Sequence, residues 1–284
     1  MVYIIVLNFN NPNVTLECLE SLKCLSFNDY HIILVDNAST DNSKDIFYDY
    51  LQANQNIIFL RAKENRGYAA GNNIALQYAL KQQDMEYCWI LNNDTVVTKD
   101  SLSKLYEYME MKPDVGICGS KLVYDWDRNK IQGYGGYFNP VFAKGGICKD
   151  IEKIDRIDYV IGAAVFVRRK FLEDIGLMCE DYFLYCEEVD WAERAKGKYR
   201  IACVPESVVY HKEGASTGGG HEIRSRSLLS DYYLLRSKLL FTKKFHKKYL
   251  PIVYSALIYA IFVRIKNGQY DRIWMIIKLM LKNS

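Results

Sequence analysis

The sequence lacks the marks of several common protein classes. Its eight cysteines include no C-x-x-C pair, and its first apolar run is short with no basic segment before it. The stretch after that run, "NFNNPNVTLECLES", has neither G-x-G-x-x-G nor a glycine-rich basic loop. These absences disfavour a secreted disulfide-bonded protein, a dehydrogenase and a nucleotidyltransferase. We therefore expect a cytoplasmic protein with reduced thiols, and no nucleic-acid partner.

Charge is distributed unevenly along a chain that shows no internal repeat and no low-complexity segment. Its 284 residues fit one large domain, or one domain with an appendage. Residues 236–284 contain eleven Lys or Arg and one acid, a net charge of +10, whereas the whole chain carries +3, which leaves −7 on residues 1–235. A basic tail on an acidic body indicates that the two parts meet different partners.

Short apolar segments alternate with helical segments over the first 114 residues. Strands are predicted at 2–8, 31–36, 56–62 and 87–91, and helices at 16–22, 42–51, 69–81 and 101–111. This pattern is typical of the α/β class, with a Rossmann-like, mainly parallel sheet covered by helices on both faces. Ligands of such sheets bind beyond the carboxyl ends of the strands. Asn8, Asp36 and Asp94 should therefore lie along one edge.

The pattern changes after residue 115. Longer strands with glycine turns are predicted at 115–125, 133–139 and 158–169, a helix at 187–196, and strands at 200–205 and 207–211. A glycine-rich loop at 212–223 precedes another helix. The second part of the chain is therefore predicted to contain a mixed sheet.

Oxygen-bearing side chains follow the predicted strands. Asp36 can accept hydrogen bonds from a nucleobase and a ribose, or it can form an Asx turn or helix cap. The segment "NRGYAAGNN" opens a helix whose backbone N–H groups suit an anion, or it is only a tight loop. Asp94 can be one ligand of a hard divalent cation if other ligands converge on it, or it is a cap.

Further candidates come late in the chain. Glu187, Glu188 and Asp190 cluster at a predicted helix start, where the helix dipole explains one or two acids better than three. His211 ends a strand beside the glycine-rich loop and is a metal ligand or a structural histidine. In that loop Ser216 and Thr217 can meet a phosphate, with a mobile loop as the alternative.

Taken in order, these segments resemble the inverting glycosyltransferases of family 2, which have the GT-A fold. The resemblance rests on "VLNFNN", "VDNASTD", "NRGYAAGNN", "LNNDT", "GAAVFVRR", "FLYCEEVDWAER", "VVYHKEGAST" and "DYYLLRSKLLF", and it covers about residues 2–241. The motifs are most similar to the bacterial branch that includes rhamnosyltransferases of cell-surface polysaccharides. In place of the family's D-x-D metal motif this chain has Asn92, Asn93 and Asp94.

The resemblance implies a role for each matching residue. Glu188 would be the catalytic base, with Asp190 in reserve, and Asp94 and His211 would hold Mg²⁺ or Mn²⁺. Gly162, Ala163 and Glu187 would lie on the acceptor side. The donor would be bound by Asn8, Asn10, Asp36, Asn37, Ser39, Asn65, Gly67, Asn72, Asn93 and Asp94.

The expected enzyme moves a sugar, with dTDP-rhamnose as the favoured donor, to a glycan or polyprenyl-linked acceptor. A UDP-hexose or UDP-N-acetylhexosamine donor, or a non-catalytic nucleotide-sugar binding protein, is the alternative. Residues 1–241 would form the glycosyltransferase domain, with a nucleotide-binding part at 1–114 and an acceptor-side part at 115–241.

Residues 242–284 would form a basic amphipathic helical tail. Its apolar runs, 250–263 and 273–281, are too short to span a bilayer and are flanked by basic residues. We expect the tail to bind the anionic inner face of the plasma membrane as a peripheral anchor. The alternative is a helical pair packed on the domain or on a second subunit of a homo-oligomer.

Overall fold

The computed structural model describes residues 1–212 and 227–283. The first half contains β1 (Val2–Asn8), α1 (Pro12–Leu22), β2 (Tyr30–Asp36), α2 (Ser43–Gln52), β3 (Ile57–Arg61), α3 (Tyr68–Leu80), β4 (Tyr87–Asn92), β5 (Thr95–Val97) and α4 (Ser101–Met111). The second half contains β6 (Val115–Tyr124), β7 (Ile131–Gly133), β8 (Gly135–Asn139), β9 (Lys144–Cys148), β10 (Ala164–Arg168), α5 (Arg169–Ile175), α6 (Glu187–Ala195) and β11 (Arg200–His211). The C-terminal region contains α7 (Leu228–Phe245), α8 (Leu250–Lys266) and α9 (Tyr270–Asn283).

One large sheet runs in the order β3-β2-β1-β4-β10-β6-β11-β5, with β7 beside β6. Strands β1 to β4 are parallel, and β10 enters antiparallel between β4 and β6. Strands β8 and β9 form a separate hairpin. The α/β class and the parallel-then-mixed sheet are therefore confirmed.

Both faces of the sheet are covered, which explains why the N-terminal strands are continuously apolar. Because side chains alternate along a strand, Ile4 and Val6 pack in the core under α1, α2 and α4, whereas Tyr3 and Ile5 pack in the core under α3 and α5. The parallel strands end together, which places Asn8 beside Asp36 in the β1–β2 register. The expected edge of polar residues is thus present.

The structure differs from the predicted elements in several places, including an unpredicted β9 and the division of the segment expected at 133–139 between β7 and β8. Only Ala164–Arg168 of the strand expected at 158–169 pairs in the sheet, because a turn closed by Ala164 N–H donating to Ile161 O precedes it. Residues 200–211 form one strand with a register shift between Val204 and Val208. The short β5 and the charged α5 were not predicted. Most of the loop expected at 212–223 lies outside the described residues.

The tail packs on the domain through α7. Leu239 of α7, Val253 and Leu257 of α8, and Ile276 of α9 share one apolar cluster. Asp231 of α7 pairs with Arg264 at 2.7 Å and with Arg272 at 3.0 Å, and all three side chains are buried. The packed arrangement, which the sequence left as an alternative, is therefore present, and two of the tail's basic residues are internal.

We expected both apolar runs to be too short to span a bilayer. For the first run, 250–263, this length argument was wrong. The helical segment Lys247–Lys266 has 20 residues and a mean hydropathy of 1.4, which is long and apolar enough to cross a membrane by these two criteria. The helical segment extends beyond the apolar run through a 3₁₀ turn at Lys247–Tyr249 and through the last three residues of α8. Core helices of other proteins meet the same criteria, and only 17% of this window is buried.

Candidate active site

Asp94 and His211 come together because β5 pairs with the end of β11. In that antiparallel register His211 lies opposite Thr95, next in sequence to Asp94. The Nε2 atom of His211 lies 3.1 Å from Oδ1 of Asp94, and both side chains are buried. The two residues expected to hold a metal ion are therefore neighbours.

The contact between these two side chains requires a proton or a cation that both of them share. Oδ1 of Asp94 has no hydrogen-bond partner, and Nδ1 of His211 lies 2.9 Å from Oε1 of Gln132. If Nδ1 donates to that amide oxygen, Nε2 presents its lone pair to the carboxylate of Asp94, which is repulsive without a proton or a cation between them. An imidazole and a carboxylate fit Mn²⁺ or Mg²⁺. Within the described parts of the chain, no group of three or more His, Cys, Asp or Glu side chains could hold a metal.

Glu187, which is buried, and Glu188, which is partly exposed, begin α6 as adjacent acids. Burial, followed by the charge of Glu188, raises the pKa of Glu187 well above its ordinary value, and Oε1 of Glu187 has no hydrogen-bond partner. Burial also raises the pKa of Glu188, but its own backbone N–H and that of Gly162 stabilise the ionised form. The pKa of Glu187 is therefore raised further than that of Glu188, so Glu188 loses its proton first as the pH rises.

Asp190 has different surroundings from those of the two glutamates. Its Oδ1 accepts a hydrogen bond from Nε of Arg194 at 2.7 Å, and its Oδ2 accepts from Nζ of Lys244 at 2.6 Å and from Tyr182 OH at 3.2 Å. The side chain is completely buried. Because both oxygens are already bonded, Asp190 fits a structural tie between α6 and α7, and it is poorly suited to be the reserve base.

Tyr68, which the sequence interpretation missed, lies between the acids. Its hydroxyl donates to the carbonyl of Gly162 at 2.8 Å. Burial raises its pKa well above the ordinary value, and the charges of Glu188, Glu187 and Asp94 raise it further. Tyr68 is part of "NRGYAAGNN", a segment interpreted for its glycines, so the sequence contained the residue but no signal for its role. The expected acceptor-side Gly162 is thereby joined to the acid pair.

Ala163, the other residue expected on the acceptor side, lies beside the end of β4. Its carbonyl accepts a hydrogen bond from the N–H of Asn92 at 3.0 Å. The turn before β10 thus lies against the turn that carries Asp94. The expected acceptor-side and metal-side residues are therefore contiguous.

Asp36 lies in the interior at the end of β2, with no exposed surface. Its Oδ1 accepts from Nδ2 of Asn8 at 3.1 Å, and its Oδ2 accepts from Nε of Arg61 at 2.9 Å. Arg61, half exposed at the end of β3, also donates to the carbonyl of Ser39. Asp36 could contact a nucleobase only by exchanging one of these bonds, whereas Arg61, which the sequence interpretation missed, reaches the surface.

A chain of buried polar side chains joins the ends of β1 and β4. Thr15 donates to Oδ1 of Asn8 at 2.7 Å and accepts from Nδ2 of Asn93 at 2.9 Å. The same Asn8 donates to Ser39, whose hydroxyl also accepts from the N–H of Asn10. Four of the expected donor-binding residues, Asn8, Asn10, Ser39 and Asn93, thus belong to one network.

A second group of amides shapes the start of α3. Nδ2 of Asn37 donates to Oδ1 of Asn65 at 3.1 Å and to the carbonyl of Gly67 at 3.2 Å, and Asn65 accepts from the N–H of Gly67. Asn72 donates to the carbonyl of Tyr68. A cavity of about 270 Å³ opens beside Asn37, between the β3–α3 loop and Glu180.

Unpaired oxygens mark this edge of the sheet. Among the described residues, ten buried side-chain polar atoms have no hydrogen-bond partner, and four of them belong to expected site residues: Asn37, Asn72, Asp94 and Glu187. Buried polar atoms are normally paired in native structures. Such a concentration therefore indicates where a polar ligand would be bound. Ser216 and Thr217 lie outside the described residues.

Comparison with known proteins finds glycosyltransferases and polysaccharide synthases. A family model described as glycosyl transferase family 2 matches residues 3–176. The poly-beta-1,6-N-acetyl-D-glucosamine synthase of Staphylococcus epidermidis is 26% identical over 238 residues, which is 79% of this chain and 55% of that protein. The corresponding synthase of Staphylococcus aureus is 24% identical over 236 residues, or 78% of this chain and 55% of that protein. The chain thus spans about half the length of these curated relatives.

Solved structures show the same fold. Residues 1–349 of S. aureus TarS superpose with a TM-score of 0.57 and 17% identity, covering 84% of this chain and 64% of that one. The same TarS segment has been solved with UDP-GlcNAc. A mannosyltransferase of Pyrobaculum calidifontis, solved with GDP-Man and Mn²⁺, superposes with a TM-score of 0.58 and 16% identity, covering 99% of this chain and 86% of that one. The expected GT-A-like fold is confirmed.

Proposed function

The chain belongs to glycosyl transferase family 2, and we propose on that premise that it moves a sugar from a nucleotide-diphosphate donor to an acceptor hydroxyl in one displacement with inversion. The observation that carries this proposal is that the Gly162–Ala163 turn joins the Asp94–His211 pair to the acid pair. A Cβ on Gly162 would lie 3.4 Å from Oε1 of Glu188, and the carbonyl of Ala163 accepts from the N–H of Asn92, two residues before Asp94. The first pair suits a charged leaving group, and the second suits removal of a proton. A non-catalytic binding protein has no need of two adjacent acids whose pKa values are both raised.

We propose that Asp94 and His211 hold a divalent metal together with the donor diphosphate. When bound, the metal would act as a Lewis acid toward the leaving nucleoside diphosphate. The unpaired Oδ1 of Asp94 and the orientation of His211 by Gln132 support this assignment. The Mn²⁺ in the mannosyltransferase structure agrees with it.

Glu188 would accept the proton of the acceptor hydroxyl. It ionises before Glu187, and an ionised carboxylate with a raised pKa accepts a proton effectively near neutral pH. Glu187 would remain protonated beside it. Tyr68 would hold the Gly162 carbonyl, and so set how closely the turn before β10 approaches Glu188.

A UDP-N-acetylhexosamine is the donor that we now favour. The curated relatives are named as N-acetylglucosamine polymer synthases, and a TarS structure contains UDP-GlcNAc. The dTDP-rhamnose that the resemblance first favoured has no support from these comparisons. Asp36 would act through Arg61 and Ser39, which it orients toward the donor edge.

The tail would bring the enzyme to an acceptor at an anionic membrane surface, where a glycan or polyprenyl-linked acceptor is presented. Helices α8 and α9 expose Tyr259, Phe262, Trp274 and Leu281, and Nζ of Lys278 lies 5.5 Å from the centre of the Trp274 ring. Aromatic and basic side chains together suit a lipid interface.

A thermal-shift panel tests the proposed donor and metal. UDP-GlcNAc, UDP-glucose and dTDP-rhamnose would each be added with and without Mg²⁺ or Mn²⁺, because a ligand that binds the native state raises its apparent stability. We expect UDP-GlcNAc with metal to raise the Tm most, and Asp94→Asn to lose the metal-dependent part. Asp114→Asn, at an exposed surface ion pair with Arg200, is the matched control. A panel in which no nucleotide sugar raises the Tm would overturn the proposed function.

A further inference from the structure

The segment that delivers the acid pair has an unusual backbone. We name residues 181–186 the acid turn, because they lead directly into Glu187 and Glu188. Tyr185 has φ of 71° and Cys186 has φ of 72°, which places two consecutive L-residues in the left-handed region. Such a conformation is unfavourable for an L-residue and persists only where its surroundings hold it. The acid turn therefore needs partners that keep it in this conformation.

Helix α7 supplies several of these partners. The hydroxyls of Tyr185 and Ser230 are 2.6 Å apart, and Ser237 donates to the carbonyl of Leu184 at 2.8 Å. The rings of Phe183 and Tyr233 stack with their centres 4.3 Å apart. Side-chain contacts thus reach three successive residues of the acid turn, Phe183, Leu184 and Tyr185.

The opposite side of the acid turn rests on the start of α3. The carbonyl of Phe183 accepts from the N–H of Tyr68 at 2.9 Å. A Cβ on Gly67 would lie only 2.3 Å from that same carbonyl oxygen, so the two backbones are in direct contact. The acid turn is therefore held between α3 and α7, and α3 already carries donor-side residues.

We propose that Ser230 and Ser237 of α7 are positioning residues that hold the acid turn in its strained conformation and so aim the Glu188 carboxylate at the acceptor. This inference rests on the proposed function and assigns it a further structural requirement. Without these bonds the turn relaxes toward ordinary φ values, and the first turn of α6 changes direction. The donor-binding residues, on β1 to β4 and α3, keep their places.

The same geometry links the tail to the site. Ser230 is adjacent to Asp231, and Asp231 holds Arg264 of α8 and Arg272 of α9 in a buried triad. The helix that supports the acid turn is therefore itself held by the tail. Contact of the tail with an acceptor-bearing surface would act on the same helix that orients the base.

The test removes the hydrogen bond between the Tyr185 and Ser230 hydroxyls by changing either residue. Ser230→Ala and Tyr185→Phe each delete the Tyr185–Ser230 bond, and the double variant deletes nothing further. We expect each single variant to lower kcat about 3- to 10-fold, the scale of one net hydrogen bond, with an unchanged Kd for the donor. The double variant should be no slower than the singles. Ser230→Thr, which keeps the hydroxyl, should restore kcat.

Matched controls distinguish positioning from a general loss of stability. Ser255→Ala removes a hydroxyl that bonds only within α8, to the carbonyl of Pro251, and should leave kcat unchanged. Hydrogen exchange of residues 181–190 should accelerate in Ser230→Ala and not in Ser255→Ala, whether or not substrate turns over. Ser237→Ala should repeat the Ser230→Ala result, because it releases the Leu184 carbonyl.

The outcomes separate the two proposals. Three results would each overturn the positioning role. The first is a wild-type kcat in Ser230→Ala and Tyr185→Phe, and the second is a multiplicative loss of kcat in the double variant. The third is a loss of donor affinity as large as the loss of kcat. If the wild-type protein turns over no nucleotide sugar, the proposed function is overturned. If hydrogen exchange of the acid turn is nevertheless faster in Ser230→Ala, the structural support by α7 still holds.

Discussion

At the scale of single residues, the account depends on which acid at the start of α6 accepts a proton. Glu188→Gln keeps the shape of the side chain and removes the base, so transfer should fall by roughly 10²-fold or more while donor affinity survives. Turnover would be paired with calorimetric donor binding. The matched control is Glu173→Gln, at an exposed ion pair of α5 with Arg169. A near wild-type rate in Glu188→Gln would show that the base is assigned to the wrong residue.

The protonation of Glu187 predicts a pH-dependent change in stability. Its pKa is raised in the folded chain, so above the ordinary Glu pKa the folded state retains a proton that the unfolded chain has lost. The free energy of unfolding therefore falls as pH rises through this window, by about 1.4 kcal/mol for each unit of pKa difference.

Glu187→Gln removes this pH-dependent loss. Urea unfolding should show the variant more stable than wild type at pH 8, with little difference at pH 4. A variant that is destabilised at pH 8, and less destabilised at pH 4, would instead mean that the Glu187 carboxylate is ionised and bonded in the fold.

The sequence indicated the candidate site residues, but it did not indicate the residues that hold those side chains in place. Asp94, His211 and Glu188 stand at ends of strands or the start of a helix, where position and residue type together indicate a role. Arg61 and Gln132 could not be predicted, because their roles come from the residue that each happens to face. The structure also changes the interpretation of Asp190, since its partners Arg194 and Lys244 come from two helices.

At the scale of secondary-structure elements, the start of α3 is constrained by backbone contact. Gly67 has φ of 99°, and a Cβ there would lie 2.3 Å from the Phe183 carbonyl oxygen. Gly67→Ala must therefore strain its own backbone and displace the acid turn. We expect it to lose more stability than the roughly 1–2 kcal/mol that left-handed φ alone costs an L-residue, and to lower kcat as well.

Gly197→Ala separates the two causes. Gly197 has φ of 80°, yet nothing lies within 4 Å of its added Cβ. Urea unfolding of both variants, with turnover measured on each, gives the comparison. Equal stability losses and unchanged kcat in both would mean that the contact between α3 and the acid turn is easily relieved.

Elements with a strong pattern could be predicted, and those made by tertiary pairing could not. The buried runs of β1, β2 and β4 are long, apolar and bounded by polar residues. The three residues of β5 form a strand only because β11 pairs with them, and no local pattern marks them. The strand expected at 158–169 was too long, because the chain turns at Gly162, whose carbonyl accepts a hydrogen bond from the Tyr68 hydroxyl.

At the scale of the whole molecule, one face of the tail packs on α7 and another face is exposed to solvent. Deleting it would uncover the apolar cluster that α7 shares with α8 and α9 and would remove both arginine partners of Asp231, so surface substitutions test membrane binding better. Trp274 is 59% exposed on α9, and Trp126 is 64% exposed after β6. Trp274→Glu should weaken binding to anionic liposomes at least several-fold, and Trp126→Glu should not.

Co-sedimentation with vesicles of phosphatidylglycerol and phosphatidylcholine, at low and high salt, would measure this difference. Light scattering of the same samples reports the oligomeric state. Equal binding by both tryptophan variants would contradict the membrane proposal. A dimer that dissociates in Trp274→Glu, with no vesicle binding by wild type, would assign the exposed face to a second copy of the chain.

The central claim is a single displacement assisted by Glu188, and the anomer first released from the donor tests it most directly. The donor selected by the thermal-shift panel, UDP-GlcNAc on our proposal, would be hydrolysed with Mg²⁺ while ¹H NMR follows the sugar before mutarotation. Because this donor is α-linked, the account predicts that β-GlcNAc appears first, and that Glu188→Gln releases it roughly 10²-fold more slowly. Release of the α anomer first, or an equal rate from Glu188→Gln, would contradict the account.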